Sequence, residues 1–241
     1  MFTKCWLPRL VRLATPAIGK EQGCGRKKQG SLEHLWALTE VLEDCMEGRD
    51  GHASKGVYAL FADVSKAYDQ VWRDGLFLIL YAQGLRGNLW QLIQAWLGGA
   101  VASTEWNGVQ GPEVQLQQGV RQGCVLSPIL YCIFINAFLA PVPTWDLPAP
   151  LRPLIATVFS QGLQDPGGRW GLYSQALKKR IAAMLYMDDT TLVATPLPQL
   201  QQIAERYVHF CRMFRLCILF PFLQLDLPCF HGLPQVSAGQ Q

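Results

Sequence analysis

Apolar positions along the chain recur with two different periods, and the changes of period mark out helices and strands. From Ser31, the residues Leu35, Leu38, Leu42 and Met46 return every three or four places. They predict a helix that buries those four, with Ser31 as N-cap and Glu33 one place short of a capping box. Further helices are predicted over 74–83, stopped by Gly84, and over 88–97, where Leu89, Leu92, Ile93 and Trp96 share a face. A fourth opens at Ser127 as N-cap with Pro128 in the first turn and runs to Leu139. The last carries Ile203, Tyr207, Phe210, Cys211 and Phe214 on one side.

Short apolar runs bounded by turn residues predict strands. One covers 56–61 and leads into Asp63; another pair, 101–106 and 114–116, is joined around Asn107-Gly108. The runs 181–186 and 191–193 enclose Met187-Asp188-Asp189 as a hairpin. Asp50-Gly51 begins a linker, and the Pro- and Gly-rich stretch 140–175 predicts a long loop or insertion. Beyond Leu216 the pattern dissolves.

Composition narrows the class. The 241 residues are 50% hydrophobic and 16% charged, which excludes disorder for most of the chain. Gly and Pro are scattered without period, against collagen or coiled coil. The eight cysteines contain no Cys-x-x-Cys pair, so they are expected as reduced, mostly buried thiols of an intracellular protein. The longest apolar stretch, 125–142, holds Ser127, Pro128 and Asn136, which suits a buried helix better than a membrane span. No membrane partner is expected. A net charge of +3 means that a polyanion must be met by local basic patches, such as Arg26-Lys27-Lys28 or Lys178-Lys179-Arg180. The first acid is Glu21, after Lys4, Arg9, Arg12 and Lys20; this start resembles a transit peptide and equally a shortened chain, so localisation stays open.

With only 18 acids, those set within apolar strands stand out. Asp63 follows one such run, and Asp188 and Asp189 lie between two others. An ionised carboxylate there costs several kcal/mol unless a positive charge neutralises it. Three converging carboxylates would need a divalent cation, and hard oxygen donors suit Mg²⁺, with a phosphate completing its shell. Two such ions could clamp an in-line phosphoryl displacement. The plainer alternative is a strand-end turn residue and a hairpin tip.

The words around these acids bear a family resemblance. Phe61-Ala62-Asp63-Val64-Ser65-Lys66-Ala67-Tyr68-Asp69 resembles the first catalytic motif of reverse transcriptases. Gly119-Val120-Arg121-Gln122-Gly123-Cys124-Val125-Leu126-Ser127-Pro128 resembles their glycine-turn motif, and Tyr186-Met187-Asp188-Asp189 matches the Tyr-x-Asp-Asp box. The wording is most similar to non-LTR (LINE-type) retrotransposons, over about Gln22 to Leu216.

The resemblance implies an α+β polymerase palm with an antiparallel sheet and packed helices, a partial fingers segment and no thumb. Expected domains are partial fingers over 1–55, palm over 56–216, and a tail over 217–241 outside the fold. Asp63, Asp188 and Asp189 would be catalytic, with Asp63, Val64 and Asp188 holding Mg²⁺ or Mn²⁺. Tyr68 would be an aromatic gate under the sugar, favouring deoxynucleotides, or else simply a core tyrosine. Gln122 and Gly123 would line the nucleotide pocket, or else form an ordinary turn. Arg26 would contact the triphosphate, or belong to a solvated basic loop, because Gly25 stands where the family has Phe. The implied partners are an RNA template, a DNA primer and dNTPs; oligomeric state is left open. The family's Asn-x-x-Lys segment, whose Lys protonates pyrophosphate, has no counterpart in 217–241, which contains no Lys. The expectation is therefore an RNA-directed DNA polymerase by descent that is weak or inactive as this chain. The rival is a non-catalytic remnant serving as an RNA-binding or scaffold module, or having no function.

Overall fold

A computed structural model describes residues 2–16, 18–19, 21–24, 30–47, 57–139, 163, 170–174 and 179–219. In chain order these form α1 (Phe2–Ala14), α2 (Ser31–Met46), β1 (Tyr58–Val64), α3 (Arg73–Ala82) and α4 (Asn88–Gly98). Then come β2 (Val101–Ala102), β3 (Glu105–Trp106), β4 (Val109–Gln110), β5 (Val114–Gln115) and α5 (Ser127–Asn136). The last elements are β6 (Leu172–Ser174), β7 (Lys179–Ile181), β8 (Ala183–Tyr186), β9 (Asp189–Ala194), α6 (Leu197–Met213) and β10 (Ile218–Leu219). The architecture is α+β.

Its centre is a four-stranded antiparallel sheet in the order β10-β1-β9-β8. Side chains alternate across a strand, so β1 feeds two cores. Tyr58, Leu60, Ala62 and Val64 join the larger one, together with Ala183, Leu185, Leu192 and Ala194. That core is closed by α3, α5 and α6 and is rich in aromatics: Phe210 stacks on Phe214 at 4.2 Å, and Phe138 meets Tyr207 edge-on at 5.1 Å. Ala59 and Phe61 face the other way, toward a smaller cluster of Leu38, Val41, Leu172, Ile181, Met184 and Val193 beneath α2 and β6.

Helix α5 is apolar all round because it is enclosed all round, as such helices must be. Asn136 on it accepts a hydrogen bond from the Gly19 N–H at 2.9 Å, the satisfied core amide the sequence suggested. Leu10 of α1 joins the same core, so the basic first segment is built into the fold. Among the described residues no helix is long and apolar enough to cross a membrane.

Several local expectations change. Gly30, not Ser31, closes the capping box of α2: its N–H donates to the Glu33 carboxylate at 2.8 Å, with Glu33 three places on. The buried stripe of α2 is Leu38 and Val41, whereas Leu35 is 59% exposed. Ser127 does not cap α5 either; its hydroxyl donates to the Arg121 carbonyl, and Leu126 stands before the helix. The predicted strand pair is a nested hairpin, in which β2 pairs with β5 and β3 with β4 across a turn at Asn107 (φ +50°) and Gly108 (φ +77°). Most of the expected 140–175 loop lies outside the described residues, but Leu172–Ser174 pairs with β7. At the far end, Ile218 and Leu219 pair with Val64 and Asp63, so the sheet extends past the boundary expected at Leu216. Residues 220–241 lie outside the described residues.

Candidate active site

The three acids are gathered by strand register. Ala62 is the last residue of β1 paired with β9, opposite Thr190, so Asp63 follows one step on, level with Asp189. Tyr186 pairs with Asp189, which closes the β8–β9 hairpin over two residues, Met187 and Asp188. Met187 takes the left-handed conformation (φ +58°) that this tight reversal demands. Alternation then puts Asp63 on the face of Ala59 and Phe61, and Asp189 on the face of Val193, which is the same face.

The electrostatics of Asp189 agrees with that proximity. The Asp189 carboxyl is held above its ordinary range, first by burial and then by the charges of Asp188 and Asp63. Among the described residues, no three His, Cys, Asp or Glu side chains form a closed metal cage. The donor set is nevertheless of the kind magnesium uses: hard carboxylate oxygens at an open rim, where waters and substrate phosphates complete the shell. Val64 has a buried side chain and could contribute only main-chain oxygen. The Ser65 N–H donates to the Cys217 carbonyl at 2.9 Å, and by alternation this directs the main chain of Val64 to the opposite edge, the side of β9.

Beside the acids is a cleft of about 580 Å³ whose lining includes Lys66, Tyr68, Gln122, Gly123, Cys124 and Asp188. The turn motif and the first acidic motif therefore meet here, although more than fifty positions separate Tyr68 from Gln122 in sequence. Backbone bonds hold them: the Val120 N–H donates to the Tyr68 carbonyl at 2.7 Å, and the Gly119 N–H to Val71 at 2.9 Å. Gly119 permits that approach. It sits at φ +84°, and a Cβ there would stand 2.8 Å from the Asp69 carbonyl oxygen. Gln122 Nε2 lies 3.3 Å from both oxygens of the Asp69 carboxylate.

Tyr68 forms an apolar wall of the cleft. Its ring lies 5.5 Å from that of Tyr131, and its hydroxyl reaches Met187 Sδ at 3.9 Å. Burial, then the neighbouring Cys132, Cys24 and Asp188, pushes its hydroxyl up to about 12, so it stays protonated at neutral pH.

Arg26 lies outside the described residues, as does Lys178. Arg180, by contrast, donates to the Gly171 carbonyl at 3.1 Å and braces the β6–β7 hairpin. Sequence reasoning missed the sulfur floor under the hairpin, where Cys24 and Cys132 both approach Met187 Sδ. No spacing could have found it, because Cys24 is 163 positions from Met187. It also missed that Glu21–Gly23 lies along the free edge of β8. The Leu185 N–H donates to Glu21, the Gly23 N–H donates to Leu185, and Gln22 bridges to Leu185 in parallel.

Comparison with known proteins agrees with this geometry. Residues 14–219 match the family described as Reverse transcriptase (RNA-dependent DNA polymerase). A probable RNA-directed DNA polymerase from transposon X-element of Drosophila melanogaster is 34% identical over 146 residues, 59% of this chain and 15% of that protein. The RNA-directed DNA polymerase from mobile element jockey of Drosophila funebris is 32% identical over 120 residues, 50% of this chain and 12% of that protein. The chain thus matches only a small part of the length of these relatives. Among solved structures, apo telomerase from Candida tropicalis superposes on 88% of this chain and 35% of its own, with a TM-score of 0.55 at 11% identity. At that identity the likeness speaks for the fold.

Proposed function

The chain belongs to the reverse transcriptase family, with relatives in non-LTR retrotransposons, and from that premise we propose that its cleft binds a dNTP for RNA-templated DNA synthesis. The observation that carries this reading is the convergence of Asp63, Asp188 and Asp189 at one end of the sheet, beside a cleft lined by Tyr68, Gln122 and Gly123. Asp63 and Asp188, with the main chain of Val64, would hold Mg²⁺ or Mn²⁺, and Asp189 would add the third negative charge. When bound, the metal supplies Lewis-acid activation of a primer 3′ hydroxyl and neutralises phosphate charge.

The chain's own groups do the rest. Tyr68 presents a flat, protonated ring under the sugar and leaves little room for a 2′ hydroxyl. Gly123 has open space where a Cβ would stand, so the backbone can approach a base pair closely. Gln122, oriented by Asp69, offers an amide to the nucleotide. The catalytic partners would be an RNA template and a DNA primer; Arg26 remains a candidate for the triphosphate.

Titration of the intact chain with dNTP in Mg²⁺, followed by primer extension on an RNA template, tests the reading. Asp188→Asn/Asp189→Asn should abolish Mg²⁺-dependent dNTP binding and lower any extension by about a hundredfold or more, the usual scale for losing transition-state charge stabilisation. Equal binding and extension by wild type and the double variant would refute the assigned roles. Absence of Mg²⁺-dependent binding by wild type would favour a non-catalytic remnant.

A further inference from the structure

Behind the cleft a buried arginine grips the loop that carries Gln122, and we propose that Arg73 is the positioning residue that sets the gap between Tyr68 and Gln122. The proposal rests on the nucleotide-binding reading of the cleft. Arg73 opens α3 and is 7% exposed. Its Nε donates to the Gly119 carbonyl at 2.8 Å, Nη1 to Leu116 at 2.5 Å, and Nη2 to Gln118 at 3.0 Å. One fork thus satisfies three carbonyls in the four residues that follow β5 and precede the turn.

The arrangement needs an arginine. These carbonyls lie past the end of β5, beyond the β2–β5 pairing. The Gly119 carbonyl is buried and would be destabilising without a donor, and only a planar group with several fixed N–H bonds reaches it together with the carbonyls of the more exposed Leu116 and Gln118. Lysine has the charge but not the fork. Burying a guanidinium charge is itself expensive, a cost that the three carbonyl acceptors offset.

What it holds is the far wall of the cleft. Immediately after the clamp, Gly119 and Val120 hydrogen-bond to Val71 and Tyr68, forming a two-rung ladder between the two motifs. Gln122 and Gly123 come next and line the cleft. Arg73 stands five residues after Tyr68, just past the end of one side of this ladder, and grasps the start of the other. If the clamp is released, the 116–119 segment can slide, and the spacing from Tyr68 to Gln122 is no longer defined. The carboxylates on the β8–β9 hairpin are held separately, by sheet register. The clamp therefore acts on nucleotide fit rather than on the acids.

The test compares wild type, Arg73→Met and Arg73→Lys by amide hydrogen exchange and by titration with dNTP and rNTP in Mg²⁺. In Arg73→Met, exchange over 116–123 should quicken by about tenfold or more while α5 and α6 keep their protection. Affinity for dNTP should fall by about fivefold or more, and the preference for dNTP over rNTP should shrink, which a general loss of stability would not produce. Arg73→Lys should fold and recover only part of both effects; if Arg73→Met does not fold, the lysine variant decides. Unchanged exchange at 116–123, protection lost evenly throughout, or wild-type affinity and selectivity in the variants overturns the proposal. Wild type that binds dNTP as tightly as its variants overturns the proposal alone. Wild type that binds none overturns the reading of the cleft, and the proposal with it.

Discussion

The two faces of the central sheet use the same strands for opposite purposes. One face presses Leu60, Ala62, Leu185 and Leu192 into a large aromatic core beneath α5 and α6. The other supports a small cluster under α2 and ends in Asp63 and Asp189. A strand built this way can carry charges at one end because the opposite face supplies most of the folding energy. The acids gain their positions from register and contribute repulsion, not stability.

The largest effect should come from the crowded face. Phe210→Ala, at a fully buried ring stacked on Phe214, should cost about 3–5 kcal/mol, measured by chemical denaturation. A loss under about 1 kcal/mol would break the contrast between the faces. On the sparse face, Leu38→Ala should cost about 2–3 kcal/mol, the low end for a buried leucine, because the few residues of that cluster can relax around the gap.

The smallest effect has the opposite sign. Asp189→Asn removes the charge that Asp188 and Asp63 repel, and should raise the melting temperature at neutral pH by about 1–2 °C. The sign follows from linkage. A carboxyl whose folded pKa is raised binds its proton more tightly when folded, so its repulsion is present above that raised value and relieved as pH falls through it. Stability of the wild type should therefore improve on mild acidification relative to Asp189→Asn. Under the proposed function, which uses the ionised form, Mg²⁺-dependent dNTP binding should weaken over the same interval.

Much of this was legible in the chain itself. The acidic words, the hairpin at Met187–Asp188 and the helices at Arg73, Asn88, Ser127 and Leu197 follow from short-range patterns that local chemistry enforces. What escaped notice depends on partners far away in sequence. Leu35 looked buried by period, but only tertiary packing decides which side of α2 meets the sheet. Ser127 looked like a cap, yet the Arg121 carbonyl captures its hydroxyl. Arg73 drew no notice, standing one place before the helix predicted over 74–83, because carbonyls leave no mark in a side-chain pattern. The cleft was inferred from words known in other chains, whereas its construction by the Gly119–Tyr68 approach is visible only in space.

The two residues of β10 form the strand outside β1. Without Ile218 and Leu219, the strand bearing Asp63 would be the outermost of the sheet, its amides open to any passing chain. Their pairing is a short guard rail: it discourages intermolecular strand addition at that border and steadies the backbone of Asp63 from its exposed flank. A change of reading frame just upstream would remove both protections together.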